Sequence, residues 1–196
     1  ETDPVEFLHK NKKSSFSQRE VGTDTASFHT ALKSALRQDP DVIFVGEMRD
    51  KETMEIVLKA AETGHLVLST IHTPDAVSTI GRVIGVFPPD EQTLVRMRLS
   101  ESMKAIISQR LLPLKDGKGR IVACEALINT KAISESIRSP EKMHEIYQYL
   151  EKGDQYGMQT FDQHLTALYK AGKVALKDAK EAASNPADFE RNLTFE

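Results

Sequence analysis

One cysteine, Cys124, and no tryptophan occur in the 196 residues. A lone cysteine excludes a disulfide framework and a cysteine-built zinc site. His65 and His72 lie seven residues apart with no cysteine partner, which is not a zinc spacing, so zinc is not expected. No apolar run approaches the roughly 18 residues needed to cross a bilayer. No charged, apolar and small-residue signal segment opens the chain. Charge of one sign is lacking too: 26 Lys and Arg stand against 29 Asp and Glu, a formal charge of −3. That balance argues against a dedicated nucleic-acid binder, which carries a basic excess. A reducing, cytoplasmic setting fits a chain with a single thiol. Also missing is any Gly-x-x-x-x-Gly-Lys-[Ser/Thr] loop, the backbone cradle for nucleotide phosphates.

What remains is enough for one sizeable domain, or one domain with a small appendage, with 39% apolar residues. There is no internal repeat. Glu1-Thr2-Asp3-Pro4-Val5-Glu6-Phe7 reads as the end of a strand entering a loop, followed by a polar stretch, Lys10 to Ser17. Phe28, Ala31, Leu32, Ala35 and Leu36 form one face of a helix, with Thr25 as N-cap and Asp39-Pro40 as its stop. Val42 to Val45 is too short for a helix and reads as a strand buried on both faces, ended by Gly46. Thr53, Ile56, Val57, Ala60 and Ala61 mark a second helix closed at Gly64, and Leu66 to Thr70 a further strand. Strands alternating with helices predict an α/β fold with a mostly parallel sheet and flanking helices. Asp90 to Gln109 reads as one long helix. A glycine turn at Lys115 to Gly119 joins strands Leu111–Leu114 and Ile121–Ile128. From Thr130 the spacing is helical, so residues 130–196 are expected to be a helical C-terminal subdomain after a core over 1–129.

In open parallel sheets, ligands bind at the carboxyl ends of the strands. Three expected strands end there in Asp3 to Glu6, in Gly46-Glu47-Met48-Arg49-Asp50, and in Ile71-His72-Thr73. Two acids and a histidine on one edge suit phosphoryl transfer: a carboxylate orients water or holds magnesium, and an imidazole hydrogen-bonds a terminal phosphate. Plainer readings stand beside this one. An acid just past a strand is often only the cap of the next helix, here the one at Lys51. A single His is more often structural, and His65 follows Gly64 where it favours a helix C-terminus. Arg19 and Arg49 also read as surface ion-pairing residues.

Three longer stretches bear on the choice. They are Ser17 to Gly22, Ala35-Leu36-Arg37-Gln38-Asp39-Pro40-Asp41-Val42-Ile43 running into Gly46 to Asp50, and Ala61-Glu62-Thr63-Gly64-His65-Leu66-Val67 running into Thr70 to Thr73. They resemble the secretion ATPase superfamily, whose fold is a RecA-like P-loop NTPase core. Asp3 to Glu6 resembles its Asp box, Gly46-Glu47 its atypical Walker B segment, and Gly64 to Thr73 its His box. Within the superfamily the chain is most similar to PilT-type pilus retraction ATPases, through Gly157 to Asp162 and through Ser108 to Pro113 running into a glycine turn. Assembly and type II secretion ATPases carry a four-cysteine zinc module near that turn, which this sequence lacks.

The resemblance implies ATP and Mg2+ as ligands, with Glu47 as the catalytic acid, Glu6 holding magnesium with Glu47 or polarising water, and His72 sensing the γ-phosphate. Asp3, Arg19, Arg49 and His65 fall to the nucleotide site. It implies a homo-hexamer, cytoplasmic and peripheral at the inner membrane, working on an inner-membrane platform protein to retract a type IV pilus. The P-loop would lie in sequence before Glu1, so the chain reads as a fragment that should turn over little ATP alone. Two departures stand out. Thr2 precedes Asp3 where the family has an acid, and Ser134 in Ala132 to Ser139 replaces the first arginine of the motif Ala-Ile-Arg-Asn-Leu-Ile-Arg-Glu. A type II secretion or assembly ATPase, or a non-hydrolysing subunit that docks on a motor, are the alternatives.

Overall fold

The computed structural model describes residue 5 and residues 7–195. The expected opening strand, with Asp3 and Glu6, therefore lies outside the described residues. Packing divides the chain into two units, residues up to Ile71 and residues from His72.

In the first unit, helix α1 (Phe28–Ala35) is followed by strand β1 (Val42–Val45), helix α2 (Lys51–Glu62) and strand β2 (Leu66–Ser69). The expected Thr25 cap is not made. Ser27 caps α1 instead, its hydroxyl accepting the Thr30 N–H at 3.1 Å, while the Thr25 hydroxyl donates to the Ser27 carbonyl. β1 and β2 pair in parallel, Val42 opposite Leu66 through Val45 opposite Ser69. Ile43 and Val45 are buried against Leu32, Val57 and Ala60, and that cluster is the core of the unit. The other face differs from the expectation of a strand buried on both sides: Val42, Phe44, Leu66 and Leu68 are exposed, Phe44 by 70%. The register makes the physical reason visible, since alternate residues of both strands share a face and one face alone is covered within this unit.

The second unit opens with helix α3 (Ala76–Gly85), which the sequence reading had no element for, and continues with α4 (Pro89–Ser102). The long helix expected to reach Gln109 stops at Ser102. Residues from Ala105 join strand β3 (Ala105–Pro113), paired antiparallel with β4 (Arg120–Ile128), Gln109 opposite Cys124. The cause is a long-range clasp: the Asn129 side chain donates to the Ser100 and Met103 carbonyls at 2.9 and 2.8 Å, holding the backbone where the helix ends. Among the described residues, then, one two-stranded sheet is parallel and the other antiparallel.

Beyond β4 the elements are helical: α5 (Lys131–Arg138), α6 (Ile146–Glu151), α7 (Phe161–Lys170), α8 (Leu176–Ala182) and α9 (Pro186–Phe195). These helices turn apolar residues inward, with Ile146, Leu150, Phe161 and Leu165 fully buried, while Tyr147 stays partly exposed. Phe161 and Leu165 pack with Leu112 of β3 and Ala123 of β4, so the hairpin and the last helices share one core. Burying a side chain such as Phe161 contributes about 2–3 kcal/mol. No helix among the described residues is long and apolar enough to cross a membrane.

Candidate functional site

Two hydrogen bonds, one from a side chain and one along the main chain, tie the carboxyl edge of the parallel pair. The Thr70 hydroxyl donates to the Gly46 carbonyl at 2.5 Å, and the Met48 N–H donates to the Thr70 carbonyl at 3.1 Å. The segments leaving β1 and β2 are thus stitched together where open α/β sheets take their ligands. Glu47 lies in this stitch with a side chain only 12% exposed, ion-paired to Arg49 (Nη2 to Oε2, 2.7 Å). The plainer reading of Glu47 as a helix cap does not hold, because Asp50 takes that place. Asp50 Oδ1 accepts the Thr53 N–H at 2.9 Å and Oδ2 accepts the Thr53 hydroxyl at 3.1 Å. A mostly buried carboxylate that caps no helix, facing a half-exposed guanidinium at a strand end, can polarise a nucleophile and bind anions.

The other candidates are placed differently. His65 sits at the amino end of β2, about 13 Å of strand from the stitch at the usual rise per residue. Its Nδ1 lies 3.0 Å from the Ala60 carbonyl and 3.2 Å from the Thr63 hydroxyl, within the end of α2. The structure does not bring it to Glu47. Arg19 is exposed in the loop before α1. His72 is exposed at the start of the second unit. Asp3 and Glu6 lie outside the described residues, so the first acidic pair is not placed. Among the described residues no cluster of three metal-ligating side chains forms.

The sequence reading passed over two features near His72. Asp75 caps α3, accepting the Ser78 N–H at 2.7 Å, and the hydroxyls of Thr73 and Thr79 meet at 2.6 Å. Glu125, 2% exposed on β4, accepts the Ala76 N–H at 2.8 Å. Burial raises its carboxyl above the ordinary value, as does the Asp75 charge, against the Ala76 and Phe161 N–H groups and Arg110, which favour the ionised form. The readable signal was an acid at an inward position of an apolar alternation, between Ala123 and Leu127.

Residues 2–179 match the family described as Type II/IV secretion system protein. The type IV pilus retraction ATPase PilT of Pseudomonas aeruginosa is 49% identical over 95% of this chain and 54% of its own length. A twitching motility protein of Neisseria gonorrhoeae is 50% identical over 93% of this chain and 49% of its own. A crystal structure of the pilus retraction motor PilT with bound ADP superposes with a TM-score of 0.88 at 51% identity, covering 96% of this chain and 53% of that one. The fold is thus α/β and RecA-like. The chain belongs to the type II/IV secretion system protein family. It spans about half the length of these relatives.

Proposed function

We propose that this chain is part of an ATP-hydrolysing hexameric motor that retracts type IV pili, with the phosphate-binding loop supplied by sequence outside it. The observation that carries this reading is the near-complete, roughly half-identical match to a retraction ATPase, with Glu47 at a carboxyl strand edge. The exposed apolar face of β1 and β2 supports a larger, mostly parallel sheet, in which strands are apolar on both sides. The division into a core over 1–129 and a helical part over 130–196 belongs to this proposal.

In it, Glu47 is the acid that orients the attacking water and accepts its proton, and His72 contacts the γ-phosphate. Arg49 and Arg19 line the nucleotide site, as does Asp3, while His65 is left with the end of α2. Magnesium takes one or two carboxylates and completes its shell with phosphate oxygens and water, so Glu47 together with Glu6 would suit it. When bound, the ion would neutralise charge on the β- and γ-phosphates. The protein would work in the cytoplasm against the inner membrane, on a platform protein of the pilus base. The single cysteine supports retraction over assembly, because the zinc module of assembly ATPases is missing.

The test is magnesium-dependent ATPase activity and native mass of the full-length protein. Turnover from a species of six subunits is the expected result. A full-length protein that assembles but hydrolyses nothing would favour a docking subunit instead.

A further inference from the structure

Glu125 and Arg110 hold opposite sides of one short loop. In the β3–β4 ladder Glu125 stands opposite Ser108, so Arg110 is its diagonal neighbour on the same face. Glu125 takes the N–H of Ala76, and Arg110 Nη2 donates to the Pro74 carbonyl at 3.4 Å. Pro74 and Ala76 flank the cap Asp75, three residues past His72. From the same guanidinium a second hydrogen bond runs to the Ala182 carbonyl at the end of α8, and its central carbon lies 3.8 Å from the Phe161 ring centre at the start of α7. Phe161 N–H also favours the Glu125 carboxylate.

Such a group is costly. A buried acid loses its hydration, and an apolar side chain of similar volume packs at lower cost. What a leucine cannot do is accept the Ala76 N–H. What a lysine cannot do is lie flat on an aromatic ring while donating in two directions. The arrangement therefore spends stability on placement.

We propose that Glu125 and Arg110 are positioning residues for the His72–Pro74 segment, a charged joint that fixes this loop on the α7–α8 layer. A shift of α7 and α8 is then felt at the loop, through Phe161 and Ala182 on one side and Pro74 and Ala76 on the other. This rests on the reading of His72 as the phosphate contact, and the test separates the two.

The experiment uses the full-length protein with Glu125→Ala, Glu125→Gln, His72→Ala, the Glu125→Ala/His72→Ala double variant, and Ile133→Val as a core control on α5. Hydrogen exchange over residues 72–76 is the first readout. It should quicken about fivefold or more in Glu125→Ala as local opening becomes easier, and stay near wild type in Ile133→Val. Glu125→Gln should restore protection, because its amide oxygen still accepts the Ala76 N–H. The second readout is kinetic. Glu125→Ala should lower kcat roughly tenfold to hundredfold with little change in KM, the signature of misplacement. The double variant should be no slower than His72→Ala alone.

Unchanged exchange in Glu125→Ala, or an equal rise in the control, overturns the joint. Multiplying losses in the double variant overturn its action through His72. A fully active His72→Ala protein sinks the phosphate-contact reading, and exchange alone then decides whether Glu125 holds the loop.

Discussion

Arg49 Nη2 stands 2.7 Å from Glu47 Oε2, two residues along the same segment at the end of β1. The pair is unequal in exposure, with the acid nearly covered and the arginine half in solvent. An arginine so placed can leave for a phosphate while the acid stays. Glu47→Gln keeps the shape and removes the proton acceptor, so turnover of the full-length protein should fall by roughly 10² to 10⁴ with nucleotide binding retained. Arg49→Ala should weaken nucleotide binding more than it slows the bound-state step. Stopped-flow binding of a fluorescent nucleotide beside steady-state kinetics checks both. Full activity in Glu47→Gln would remove this acid from the chemistry.

The Glu125 carboxyl gives a pH prediction with a definite sign. Its folded value is raised above 4.5, mainly by burial. Between the unfolded and folded values the folded state holds the extra proton, so stability falls as pH rises. The contribution is whole below the unfolded value and is lost as pH climbs through the folded one. Glu125→Gln has no such titration. Denaturant unfolding of wild type and variant should therefore show a difference that drifts in favour of the variant as pH rises above the ordinary carboxyl value. A difference that stays flat over that range contradicts the burial argument.

How far the sequence could be read depended on where the deciding force acted. α2 was legible because its apolar spacing, its capping acid and its closing glycine all lie within the element. α3 was not. Its run of Val77, Ile80, Val83 and Ile84 with Gly81 and Gly85 is poor in helix formers, and the helix is held by packing of Ala76, Ile80, Val83 and Ile84. The end of α4 was misread because Val95, Leu99, Met103 and Ile106 keep helical spacing across a boundary set by Asn129, more than twenty residues away. Glu47 was pointed to by family resemblance, and local spacing alone left it level with an N-cap. The Glu125–Arg110 joint depends on strand register and on helices far along the chain, which no local pattern displays.

The isolated chain of 196 residues should bind ATP weakly and hydrolyse it hardly at all, since its sequence holds no phosphate cradle. Calorimetric titration with ATP and magnesium, and a phosphate-release assay, check this directly. Turnover near that of the full-length protein would mean that the cradle is not needed.

Thr160 is 2% exposed and begins α7 with a reciprocal pair: its hydroxyl accepts the Gln163 N–H at 3.2 Å, and Gln163 Oε1 accepts the Thr160 N–H at 2.9 Å. Thr160→Ala removes one arm and should cost about 1–2 kcal/mol. Thr160→Ser keeps the oxygen and should cost less. Thermal unfolding of both variants measures the gap, and equal losses would assign the cost to packing of the methyl group instead.

Two glycines predict opposite outcomes for the same substitution. At Gly153, between α6 and α7, an added Cβ would meet the Met158 methyl at 2.1 Å and the Tyr149 carbonyl at 2.8 Å. The methionine end can swing aside, but the carbonyl belongs to the backbone of α6 and cannot move without unwinding it. Gly153→Ala should therefore destabilise by about 1–3 kcal/mol. Gly81 sits exposed within α3 with nothing within 4 Å of an added Cβ. There the methyl restricts the unfolded chain and strains nothing, so Gly81→Ala should stabilise by about 0.5–1 kcal/mol. Unfolding midpoints of the two variants, measured side by side, should move in opposite directions. A loss at Gly81 as large as that at Gly153 would mean that this face of α3 is covered by something beyond the unit described.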